Sequence, residues 1–106
     1  MKIKTWNIEA MTGYKPRTTF YEDFIIADHF GGPAIRDTYC RALNAWQNNI
    51  EYMTELVMVL NWKIWEHYRS NYMLAKMYDE LWRKAEEWVL DHFDGEDLQY
   101  YFRTTD

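Results

Sequence analysis

The chain has 106 residues, 48% of them apolar, 19% aromatic and 27% charged, with a formal net charge of -5. Five Phe, nine Tyr and six Trp side chains can bury enough surface to oppose chain entropy, so one ordinary domain fits, and neither a disordered chain nor a multidomain enzyme does. The longest apolar run, Leu56 to Leu60, is far short of the roughly 20 residues that cross a bilayer, and the single cysteine, Cys40, allows no intrachain disulfide or cysteine-built zinc site.

Residues 1–17 contain Gly13 and Pro16 and sustain no helical period; they read as an arm, irregular or with a short strand over Ile3 to Ile8. Trp6, Asn7 and Glu9 stand where a secretory peptide needs apolar side chains, which points to the cytoplasm. Residues 18–106 form the domain. Thr19-Phe20-Tyr21-Glu22 fits a capping box, in which the Thr hydroxyl accepts from the third helical N–H and the Glu reaches back. The first helix then runs to about Phe30, where Gly31-Gly32 stops it. Pro33 suits a first helical turn, since its missing N–H would be unpaired there anyway, and opens a second helix over roughly residues 33–47. Asn48-Asn49-Ile50-Glu51 starts a third helix of about twenty residues, broken near Ser70-Asn71. A fourth spans about Tyr72 to Phe93, Asp94-Gly95 ends it, and Glu96 to Arg103 makes a short last turn or helix. The expected fold is all-α, a compact bundle of four to five helices behind a short irregular or β-like arm.

Periodicity places the core. Ile50, Met53, Val57, Leu60, Ile64 and Tyr68 recur at three and four residues on the third helix. Leu74, Met77 or Tyr78, Leu81, Ala85 and Trp88 do so on the fourth, and Ile35, Tyr39, Ala42, Leu43 and Trp46 on the second. On the fourth helix, Asp79–Arg83, Glu80–Lys84 and Arg83–Glu87 are spaced i, i+4 and mark a face that sees water.

The third helix is apolar almost all round. Tyr52, Val59 and Trp62 point nearly opposite the Val57 stripe, alongside Glu55 and Glu66. Either the arm or the first helix covers this second side, or the five residues form a contact surface for a host protein or for another copy of the chain. On the contact reading Trp62 is the energetic centre, because aromatic side chains are enriched there. Trp65, at the edge of the core stripe, reads as packing.

Signs of catalysis or of a resident cofactor are missing. No acid stands three residues before His29, His67 or His92, as a di-iron bundle requires, and no glycine-rich phosphate loop occurs. No metal ligand set or catalytic dyad stands out. Cys40 reads as a partly buried packing residue, and His29 and His92 as partners for the negative ends of helix dipoles. Thr54, Asn61, Tyr68, His67 and Arg36 flank the core stripes and must find polar partners, most simply in an internal network. An alternative is a nucleotide-binding pocket in an oligomeric protein, in which Arg36 or Arg103 holds phosphate, Tyr or Trp faces stack on a base, and Asn61, His67 and Tyr68 complete the ligand-binding set. Residues 79–106 hold nine acids against Arg83, Lys84 and Arg103. This balance argues against direct nucleic-acid binding and suits either solubility or docking into a basic groove.

Several strings carry a resemblance: Thr18 to Phe24 with Ile26-Ala27-Asp28, Ile35 to Tyr39, Thr54 to Asn61, Lys63 to Tyr68, and Tyr101 to Asp106. Over about residues 18–106 the chain resembles a family of short proteins of unknown function from bacteria, their phages and mobile elements. The resemblance implies a cytoplasmic, all-helical protein, encoded by a phage or its host, and brings no catalytic motif with it. By analogy with small acidic phage proteins, it also implies occlusion of a host protein, as anti-CRISPR and other anti-defence inhibitors achieve.

Overall fold

Gly31 interrupts what would otherwise be one long N-terminal helix. The structure is a computed structural model and describes residues 20–105, except for the side chains of Phe20 and Tyr21. The arm, its strand over Ile3 to Ile8 and the Thr19 cap lie outside the described residues. Five helices follow in chain order: α1 (Phe20–Phe30), α2 (Gly32–Trp46), α3 (Ile50–His67), α4 (Tyr72–His92) and α5 (Gly95–Thr105). No strand occurs among the described residues, and none of their helices is long and apolar enough to cross a membrane.

Each junction has a local cause. Gly31 adopts φ 91°, ψ -165°, a region that side chains with a Cβ scarcely enter, and this turns α2 back against α1. Its N–H still bonds Ala27 O at 3.0 Å, while its carbonyl starts α2 by accepting from Ile35 N at 3.1 Å. The side chains of Asn49 and Asn71 cap α3 and α4, accepting from Tyr52 N at 3.0 Å and Leu74 N at 3.2 Å. The short link between His67 and Tyr72 makes α3 and α4 antiparallel neighbours, and they form the most extensive pair in the bundle.

The core stripes are where the spacing puts them. Ile35, Tyr39 and Ala42 of α2 meet Met53, Val57, Leu60 and Ile64 of α3 and Tyr78, Leu81, Ala85 and Val89 of α4. Phe24 of α1 and Tyr101 of α5 join the same cluster. Burial of each large side chain here contributes about 1.5–3 kcal/mol. Helices α2, α4 and α5 pack on α3 and eleven of its eighteen residues are buried, so it is the central helix.

That centrality corrects several expectations. The second side of α3 is not an open face: Val59 is 3% exposed and Glu55 2%, Tyr52 and Trp62 are partly buried, and only Glu66 stands in solvent. The α4 face is not wholly wet, because Asp79 is buried and pairs with Arg83 at 3.0 Å, while Glu80 turns to Arg36 at 3.7 Å. Cys40 is exposed, on the outer side of α2. Trp65 and Tyr68 are both half open, because α3 ends at His67 and its last turn projects beyond the core.

Candidate functional site

The densest polar cluster joins three helices at one end of the bundle. Lys63, in the last turns of α3, has a side chain only 1% exposed. A buried ammonium without partners would be prohibitively costly, and this one is paired with two carboxylates. It contacts Asp28 of α1 and donates to Glu66 Oε2 at 2.9 Å. His67, one turn further along α3, places Nε2 3.0 Å from the same Asp28 Oδ2, and with a carboxylate as acceptor that nitrogen is the donor. Tyr78 of α4 donates its hydroxyl to the other oxygen, Oδ1, at 2.5 Å. Its ring stacks on His67 at 5.9 Å and 7°, meets Phe24 edge-on and lies under the Lys63 ammonium.

Asp28 is thus held by a lysine, a histidine and a tyrosine. Burial pushes its carboxyl up, but hydrogen bonds from Lys63, Tyr78 and His67, together with the lysine charge, outweigh that and leave it below the ordinary carboxylate range. The Tyr78 hydroxyl moves the other way. Burial and the neighbouring Asp28 charge push it well above the usual phenol range, so it stays a donor.

Asp28, Glu66 and His67 each offer one donor atom, all within 4.8 Å of one another, a grouping that a divalent cation can use. The Lys63 ammonium already bonds two of the three, so it is itself the cation among them. A metal would have to displace this ammonium, whose side chain is 1% exposed. The group is chemically a closed network that ties α1 to α3 and α4.

The nucleotide residues are not brought together as a pocket. Asn61 is fully buried, Arg36 pairs with Glu80, His67 is committed to Asp28, and Arg103 is exposed on α5. Tyr68 stacks on Trp65 at 5.9 Å and 9°, and both line an open depression of about 330 Å³ with Glu66, Arg69 and Ser70. Two more depressions lie toward the far end of α4. One of about 410 Å³ is lined by Trp82, Arg83, Glu86, Glu87, Leu90 and Asp91, and another of about 280 Å³ includes Tyr39, Leu43, Trp88 and His92. His92 is exposed, stacked on Trp88 at 3.6 Å with Nδ1 3.0 Å from Trp88 O.

Sequence reasoning found His67 as a polar neighbour of the core and missed Lys63, Asp28 and Tyr78 as its companions. The signal was present in one respect: Lys63 is the single lysine or arginine in a helix that is apolar almost all round. Its partner lies 35 positions away, at Asp28, a separation that no helical period reveals.

Around this network large apolar side chains stand exposed among charged ones such as Glu66, Arg69 and Lys76. Asp28 meets His67 where α1 and α3 both end, and a Cβ built on Gly32 would stand 2.7 Å from Met77 Cε, so the α1–α2 turn sits against the first turns of α4. At this end Phe30 is 74% exposed, Met73 73% and Tyr72 61%, with Tyr68 and Trp65 at 43% and Ile26 at 56% nearby.

No known family model, curated protein or solved structure matches the chain.

Proposed function

We propose that this protein acts by associating with other protein surfaces rather than by catalysis, and that its contact surface is the end of the bundle bearing Phe30, Tyr68, Tyr72 and Met73. The observation that carries this reading is the exposure of those large apolar side chains. Soluble domains seldom leave so many together without a use. The second side of α3 is a weaker candidate, since Val59 and Glu55 are buried and Tyr52 and Trp62 are partly so. Catalysis finds little support in the polar cluster, whose lysine is sealed from substrate and whose Asp28 is already bonded by three partners.

The narrower proposal is that the associated protein belongs to a bacterial host and is occluded by this chain in an anti-defence role. It follows from the family resemblance and the acidic balance, with Glu96, Asp97 and their neighbours guiding approach to a basic partner. Affinity capture from a bacterial lysate with the native chain and with a Phe30→Ser/Met73→Ser variant tests the surface. Proteins held by the native chain should be lost by the variant; equal retention by a folded variant would rule this end out.

A further inference from the structure

We infer that the occupant of this apolar end is a second copy of the chain, docked about a two-fold axis. The inference rests on the contact surface proposed above and names its partner.

Area is the first argument. Aromatic side chains present about 150–250 Å² each, so the fractional exposures of Phe30, Tyr72, Tyr68 and Trp65, with Met73 and Ile26, leave on the order of 600 Å² of mostly apolar surface. A specific interface needs about 800 Å² per partner, of which roughly two thirds is apolar in homodimers. These six side chains supply that apolar core, and the remainder falls to a polar rim.

Charge is the second argument. A two-fold interface sets a patch against its own copy, so a patch of one sign repels itself. On the surface at this end Arg69 and Lys76 stand against Glu66, two cations to one anion, since Lys63 and Asp28 neutralise each other inside, so the patch carries little net charge. The opposite end, residues 86–97, holds Glu86, Glu87, Asp91, Asp94, Glu96 and Asp97 with no lysine or arginine. The 21-residue α4 keeps the two ends about 30 Å apart, several times the screening length of about 8 Å at physiological salt. Two chains of net charge -5 can therefore meet at one end and keep their acidic ends apart.

Sedimentation and light scattering across a concentration series test this on the full chain. The native protein is expected to reach twice the 13.1 kDa chain mass, with a dissociation constant that changes by less than about threefold between low and high salt, because apolar contact is not screened. Phe30→Lys and Met73→Glu should each give the single-chain mass. Both place a charge where the local helix dipole favours it, at the end of α1 and the start of α4, so folding is spared and circular dichroism should match the native trace. Leu90→Asp, at the acidic end, should leave the dimer intact.

A native chain that keeps the single-chain mass throughout overturns the second copy as occupant. The contact surface itself is then judged by whether the same two variants lose proteins captured from lysate. A dimer that survives both Phe30→Lys and Met73→Glu, or that dissociates in Leu90→Asp, overturns the location.

Discussion

The two ends of the α3–α4 pair are built in opposite ways. At the Asp28 end a lysine with almost no solvent contact sits among carboxylates, while Phe30 and Met73 face outward. At the His92 end the interior is aromatic and the surface acidic. There Trp88 donates Nε1 to Gln47 O at 2.9 Å, and Tyr101 donates its hydroxyl to Glu86 Oε2 at 2.6 Å. Charge can be buried where opposite charge and hydrogen bonds from other helices meet it, and must stay in water where only like charge is available. The first end is therefore tied across three helices by polar bonds, whereas the second is held by aromatic packing, with the tips of Trp88 and Tyr101 hydrogen-bonded.

Removing one member of the buried network should show the largest difference between the ends. Asp28→Ala leaves the Lys63 ammonium and the Tyr78 hydroxyl without their main acceptor, and a buried pair broken on one side costs about 3–5 kcal/mol. Denaturant unfolding measures it; a loss no larger than that of a surface substitution would show that water or Glu66 replaces the carboxylate without penalty. The same residue predicts a pH dependence of definite sign. Its folded carboxyl titrates lower than its unfolded one, so between those values the unfolded chain holds the extra proton and stability rises with pH. The contribution is complete above the unfolded value near pH 4 and is lost as pH falls through the folded one. The stability gap between the native chain and Asp28→Asn should therefore be widest near neutral pH and close on acidification.

A smaller effect belongs to the turn that brings α1 over the network. Gly31→Ala forces a Cβ into a backbone region that nearly excludes it, and should cost about 1–3 kcal/mol even though open space surrounds the site. Loss of stability without loss of helix content identifies strain as the cause. At the far end, Trp88→Phe keeps the ring stack on His92 but removes the bond to Gln47 O, and about 1 kcal/mol is expected. If Trp88→Phe costs as much as Asp28→Ala, the contrast between the ends fails.

Much of the architecture was readable from residue order. Gly31-Gly32, the Asn caps at positions 49 and 71 and Asp94-Gly95 break the chain where the helices end, because these residues act through backbone bonds within a few positions. The stripes of α2, α3 and α4 followed from the helical period for the same reason. The candidate site was legible only as a hint at His67, since Asp28, Lys63 and Tyr78 come from three helices and their meeting is a matter of packing. Cys40 and Asp79 were misplaced by the same limit: an exposed thiol and a buried carboxylate differ in what lies opposite them, not in their neighbours along the chain.

The amino-acid order by itself determined helix content, helix ends and one apolar stripe per long helix, all of which depend on interactions within a turn or two of the backbone. Tertiary structure alone decided that α3 is enclosed by α2, α4 and α5, that Lys63 is neutralised inside rather than solvated outside, and that the exposed apolar side chains gather at the end formed by α1, α3 and α4. Those outcomes depend on which distant surfaces meet, and a buried charge is stable only once the groups that neutralise it have been brought to it from elsewhere in the chain.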